Sequence, residues 1–125
     1  MGEFNSERGE LFNDQVADLF ERLPDVKVRR RVKKIHGPAG LLRPPGDIDV
    51  LIAQAKKRRL LVVECKDLAV GRAPHELQSE LTKLFEGEGG KPSAIERHLR
   101  RTDWVSQNLT KVLQWLGLND SGKRW

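Results

Sequence analysis

Asp49, Glu64 and Lys66 lie in the stretch GDIDVLIAQAKKRRLLVVECKD, and their types and spacing suit metal-assisted hydrolysis of a phosphate ester. Ile48, Val50 and Ile52 alternate with Asp49, Leu51 and Ala53, which predicts a strand. Leu60 to Val63 is a short apolar run, which predicts a second and largely buried strand. The polar, basic segment from Gln54 to Arg59 reads as the turn between them. Folding the pair about Lys56 and Lys57 sets Gln54 opposite Arg59, Ile52 opposite Leu61, Leu51 opposite Val62 and Asp49 opposite Glu64. In that register two carboxylates face each other with Cβ atoms about 4.5–5.5 Å apart, and like charges so placed are destabilising. A cation is needed between them. Lys66, which shares its strand face with Glu64 and Val62, is one candidate, and a divalent metal is a better one. Mg²⁺ is commonly held by one or two carboxylates together with waters and substrate phosphates. It would lower the pKa of a bound water and brace the phosphate, while Lys66 steadied the nucleophile or the developing charge.

Acidic residues at strand ends are often merely solvated, and E-x-K is common by chance. What distinguishes this stretch is the combination of a Gly-led strand bearing Asp49, a basic turn, and an apolar strand that ends in Glu64-Cys65-Lys66. Here the chain resembles the PD-(D/E)XK, or restriction-endonuclease-like, superfamily, in which one acid sits early in a strand and (D/E)-x-K ends the next. Asp49, Glu64 and Lys66 occupy those positions one for one, and the match covers Arg29 to Asp67. The resemblance implies an α/β fold with a restriction-endonuclease-like core, a small mixed sheet flanked by helices. It implies catalysis by Asp49, Glu64 and Lys66, with Mg²⁺ (or Mn²⁺ in its place) on Asp49, Glu64 and the backbone carbonyl of Cys65. Members often carry a further acid on the first helix, in a pattern like G-x-x-F-E. Gly9, Phe12, Val16 and Leu19 fit that pattern, but Asn13 stands at the Glu position. Asn13 through its carbonyl, or Glu10 one turn earlier, could take that part; a solvated first turn is the plainer reading of Glu10.

The elements that must position these residues follow from patterning. Residues 1–5 are set aside as an expression remnant, and 6–118 are read as one domain with a tail at 119–125. Ser6 suits an N-cap, Phe12, Val16, Leu19, Phe20 and Leu23 recur at helical spacing, and Pro24 stops the helix. Asp25 to Ile35 alternates, with Val26, Val28, Arg30 and Val32 on one face and Lys27, Arg29, Arg31 and Lys33 on the other. That basic face suits either an edge strand guarded against aggregation or a strand facing phosphates. A Gly- and Pro-rich loop runs from His36 to Gly46, and Asp47 reads as a turn former. The three strands are expected to form a meander.

Pro74 opens a helix with Leu77, Leu81, Leu84 and Phe85 as its stripe. On the resemblance that helix packs beside the site, making Glu76 and Gln78 accessory candidates, although helix polar residues are mostly solvated. The glycines of the loop from Glu86 to Pro92 lack the P-loop frame. Ser93 and Glu96 form a capping box that opens a long helix ending at Gly117, with Arg97, His98, Arg100 and Arg101 in its first half. His98 has no Cys or second His at ligand spacing, which excludes zinc there. The resemblance further implies a strand after these helices. The chain is therefore expected to be a fragment of a longer protein with an exposed sheet edge that invites a homodimer.

The net charge is +5 and the pI about 9.7, which favours a polyanionic partner, and DNA is the expected one. Lys27, Arg29, Arg31, Lys33, Lys56, Lys57, Arg58, Arg59, Arg97 and Arg101 are the candidates to hold phosphates. Aromatics are only 6% with no Tyr, which argues against a base-stacking surface. The lone Cys65 excludes an internal disulfide and fits a cytoplasmic or nucleoid-associated setting. No apolar run is long enough to span a bilayer. The leading expectation is a metal-dependent nuclease domain. Asn13 and the expected missing strand leave open a catalytically inactive nucleic-acid-binding or protein-interaction module of the same fold. Phosphate binding would weaken steeply with salt, whereas an apolar protein interface would not.

Overall fold

The run around Asp49 becomes the centre of the sheet because both of its faces are covered. In a computed structural model, which describes residues 2–37, 40–66, 73–87, 89–118 and 125 and side chains from residue 11 onward, the order is α1 (Gly2–Glu21), β1 (Val26–Val32), β2 (Ile35–Gly37), β3 (Gly40–Leu42), β4 (Ile48–Gln54), β5 (Arg59–Val63), α2 (Pro74–Phe85), α3 (Ala94–Gln107) and α4 (Leu109–Trp115). The sheet runs β1-β4-β5, with both pairs antiparallel. In the central strand β4, Val50 and Leu51 are 0% exposed and Ile52 is 2% exposed, as expected for a strand buried on both sides. On one side Val50 and Ile52 pack with Ala17, Val16 and Phe20 of α1 and with Val26, Val28 and Cys65. On the other, Ile48, Leu51 and Ala53 pack with Val105 of α3 and with Val112 and Leu116 of α4. The result is a helix–sheet–helix sandwich with Asp49 on its central strand and Glu64 just past the end of β5.

Several expectations need correction. The three-stranded sheet is wholly antiparallel rather than mixed: β4 and β5 are joined by a tight turn, which allows only that pairing, and the connector from β1 to β4 folds into a hairpin of its own instead of crossing the sheet. The meander is interrupted, because the Gly- and Pro-rich loop contains the β2–β3 hairpin, which pairs Ile35 with Leu42. The basic strand ends at Val32, not Ile35, and its alternation fails at Arg31. There φ is +48 and the pairing steps from Arg30↔Val50 to Val32↔Ile48, so Val32 joins the core under α3 and α4 while Val28 joins the one under α1. The first helix begins at Gly2, ahead of the expected cap at Ser6. Leu19 and Leu23, expected in its buried face, are 60% and 50% exposed.

The last long helix is two. Asn108 interrupts it at φ −113, ψ 25, its side-chain amide donating to the Trp104 carbonyl at 2.9 Å in competition with the helix ladder. At its far end Gly117 takes φ +75 and donates its N–H to Gln114 O, while Leu118 N–H bonds to Leu113 O, a Schellman closure where the sequence places the stop. The helix α2 has no buried residue and packs chiefly against α3. Residues 67–72 and 119–124, which include most of the connector after Lys66 and most of the tail, lie outside the described residues. No helix among the described residues is long and apolar enough to cross a membrane.

Candidate functional site

The β4–β5 hairpin holds the register that brings the acids together. Gln54 pairs with Arg59, Leu51 with Val62 and Val50 with Val63, so the next step outward sets Asp49 beside Glu64. Their carboxyls lie within hydrogen-bonding reach of each other. Asp49 Oδ2 also accepts the Cys65 backbone N–H at 2.9 Å, which orients that carboxylate across the strand pair. The Glu64 side chain is 23% exposed. Burial holds its carboxyl above the ordinary value, and the Asp49 charge pushes it the same way, against the pull of Arg101 and Lys66. The Cys65 thiol is pushed up to about 11, first by burial and then by the Asp49 and Glu64 charges. Its side chain packs on the α1 side of the sheet, opposite the acids.

The third member of the cluster comes from α3. Arg101 Nη1 lies 3.3 Å from Glu64 Oε2, and its side chain is only 13% exposed. Its Nε is buried without a hydrogen-bond partner among the described residues. The guanidinium lies flat against Gly46, where a Cβ would come within 2.9 Å of Nε, and Gly46 itself sits at φ +97. The Pro44-Pro45-Gly46 approach to β4 thus leaves room for an arginine that a side chain would displace. α3 is aimed by its own start, where Ser93 is 0% exposed and its Oγ accepts the Glu96 N–H at 3.1 Å.

Lys66 is exposed at the end of β5, near enough for its charge to act on Glu64. It lines a depression of about 130 Å³ between α2 and α3 with Glu80, Lys83 and Arg97. No group of three or more His, Cys, Asp or Glu residues stands at metal-ligand spacing among the described residues. A divalent ion would therefore rest on two carboxylates and a main-chain carbonyl. That donor set fits Mg²⁺ or Mn²⁺, which need few protein oxygens.

The remaining candidates are dispersed. Asn13 is half-buried on α1, and the Glu10 side chain lies outside the described residues. Glu76 and Gln78 are exposed on α2. The basic face of β1 is largely engaged inside the chain. Lys27 Nζ donates to the Leu116 carbonyl at the end of α4 (2.9 Å), and Arg29 stacks over Trp115 with 5.8 Å to the ring centroid. Arg31 pairs with Asp14 at 2.8 Å. Arg30, on the valine face, is gathered by Asp14, Asp18 and Glu21 of α1. Lys33, Lys56, Lys57 and Arg59 are exposed and Arg58 is half-buried. The turn lies five strand positions from the acids, roughly 17 Å at the usual rise. Arg97 shares a depression with Lys66, while Arg101 sits on Glu64. Sequence reasoning assigned Arg101 to phosphates and did not place it on the acid pair. The available signal was the i, i+4 spacing of Arg97 and Arg101 together with the need for a cation beside two facing carboxylates. The sequence marks Gly46 as the lead of the Asp49 strand, but not as the seat of an arginine.

A comparison with protein families matches residues 6–122 to the one described as anti-phage protein Upx-like. The chain belongs to the Upx-like family. No curated protein and no solved structure matches it. The Upx-like match spans nearly all of α1, the whole sheet and α2 to α4, so Asp49, Glu64, Lys66 and Arg101 all fall within it.

Proposed function

We propose that this chain is a metal-dependent nuclease domain of restriction-endonuclease-like type, acting on DNA in defence against phage. The observation that carries the reading is the Asp49–Glu64 pair, set side by side at the open end of the β4–β5 hairpin with Lys66 next in line. The description of the family supports the defence setting. Asp49, Glu64 and the Cys65 carbonyl are the groups that would hold Mg²⁺ or Mn²⁺, which when bound supplies an acidified water and charge against the phosphate. The Cys65 N–H fixes the rotamer of Asp49. Arg101 holds Glu64 to one orientation and keeps the crowded acids from repelling each other. Lys66 orients the attacking water through its ammonium and offsets charge that builds on the phosphoryl oxygens.

A second reading, a non-cutting binding module of the same fold, is favoured by Arg101, which already partly neutralises the acid that a metal would need. Nicking of supercoiled plasmid separates the two. With Mg²⁺ or Mn²⁺ the wild type should nick, and Asp49→Asn and Glu64→Gln should each abolish nicking. Nicking that survives both substitutions would place the chemistry elsewhere, and an inert wild type would favour the binding module.

A further inference from the structure

Beyond the acid pair, two depressions at α2, α3 and the described part of the loop joining them share Lys83 and Arg97 and make a trough lined by cations, while Glu86 and Glu96 line a third depression on the same loop. The depression at Lys66 is lined by Lys83 and Arg97, and the same two residues line an adjoining cavity of about 460 Å³ whose far wall is Lys91 with Gly87 and Gly89. Four cations, Lys66, Lys83, Arg97 and Lys91, thus face these two cavities, and Glu80 is the acid lining them among the described residues. All four cations are exposed. The loop geometry brings the last of them in. At Gly87, φ +85, a Cβ would come within 2.3 Å of the Lys91 carbonyl, so only glycine lets the chain double back and place Lys91 beside Lys83 and Arg97. Most of the β1 cations are paired within the chain and lie outside these two cavities.

We infer that the sugar-phosphate backbone of a nucleic acid runs along this trough, past Arg97 and Lys83 to Lys91, with Lys66 at the end nearest the acids. The inference rests on the nuclease reading for its direction, since the trough starts at the candidate catalytic lysine. A row of cations suits phosphates, which are held by charge and carry no sequence information, and Leu84 and Ala94 add an apolar floor to the depression at Lys66. An apolar protein partner would instead need an anchor pocket, and the second cavity offers only Pro92 and glycines between its cations.

The test is binding of a fluorescent DNA duplex, read by anisotropy in Ca²⁺ across a salt series. The variants are Lys83→Glu with Lys91→Glu, Arg97→Glu alone, and Lys34→Glu with Lys111→Glu, both exposed and outside the two cavities, as a control carrying the same charge change as the first pair. The trough variants should weaken binding at least about tenfold, and the double variant should flatten the salt slope by about two. The control should change affinity less than about threefold. Equal losses in trough and control would reduce the effect to net charge and overturn the inference, as would a loss in the control alone. Polyglutamate that competes as well as unlabelled DNA at equal charge would also overturn it. Plasmid nicking by the same proteins keeps the two proposals apart. Nicking with unimpaired binding by the trough variants sinks the trough alone; trough-dependent binding without nicking sinks the nuclease alone.

Discussion

Arg101 Nη1 stands 3.3 Å from Glu64 Oε2, while its Nε lies in the space that a Cβ on Gly46 would claim. The arginine is therefore an internal counterion, wedged between the strand that carries Asp49 and the strand end that carries Glu64. Removing it leaves two close carboxylates with exposed Lys66 as the remaining cation acting on Glu64 among the described residues. Arg101→Gln should destabilise the metal-free chain by about 1–3 kcal/mol near neutral pH, below the full cost of orphaning a deeply buried charge because the pair is partly exposed. Folding already holds the Glu64 carboxyl above its ordinary value, so the folded chain takes up this proton before the unfolded chain does. Stability from this group therefore rises as the pH falls from neutral toward 4.5, and the deficit of Arg101→Gln should shrink over the same interval. Mg²⁺ should raise the melting temperature of Arg101→Gln more than that of the wild type, since the ion supplies the missing positive charge. Thermal melts at two pH values, with and without Mg²⁺, check both effects. A deficit that grew on acidification would contradict the arrangement.

The Cys65 thiol reports on the same charges from the other face of the sheet. Burial and the two acids raise it from 9.0 to about 11, so the thiolate is scarcer at pH 8 than in an ordinary cysteine. Alkylation of the folded protein by iodoacetamide should run at least about tenfold slower than that of a small free thiol. Asp49→Asn should accelerate it by removing one of the raising charges. Stopped alkylation followed by mass spectrometry gives both rates. A wild-type rate equal to the free thiol would mean that the acids do not bear on Cys65.

What could be read from the chain was what repeats at short range. The turn at Lys56 and Lys57 and the alternation from Ile48 to Ala53 fix the β4–β5 register, and with it the meeting of Asp49 and Glu64. Ser93 and Gly117 mark their helix ends because caps and stops act locally. The break at Asn108 was hidden, since Val105, Leu109 and Val112 keep a helical period across it. The fate of the basic strand was hidden for a different reason. Alternation says which residues share a face, but not that α4 would end against Lys27 or that Asp14 would reach Arg31. Arg101 likewise reaches Glu64 only because α3 crosses the sheet at that point.

Ser93 sits where the direction of α3 is set, and that helix carries both Arg97 and Arg101. Ser93 is fully buried and accepts the Glu96 N–H, so Ser93→Ala removes the cap and leaves that part-buried donor without its acceptor. A loss of about 1–2 kcal/mol is expected in urea unfolding. Ser93→Asp should recover part of it, because a carboxylate both accepts from the same N–H and favours the positive end of the helix dipole. Equal stability of Ser93→Ala and wild type would show that packing, not the cap, aims α3.

Lys66 separates binding from chemistry most cleanly. It is exposed, so its loss should leave the fold intact, yet its charge acts on Glu64 and it begins the cationic trough. Lys66→Ala should lower nicking by roughly 10²-fold or more, the scale for a group that positions the nucleophile and offsets charge at the reacting centre. One phosphate contact among several contributes far less to affinity, so DNA binding in Ca²⁺ should fall only a few-fold and the salt slope by about one. Lys66→Arg keeps the charge but not the compact ammonium; it should restore binding and leave nicking impaired. Parallel measurement of single-turnover nicking and anisotropy tests this division. If nicking and binding fell by the same factor in Lys66→Ala, the lysine would be one more phosphate contact and its catalytic assignment would fail.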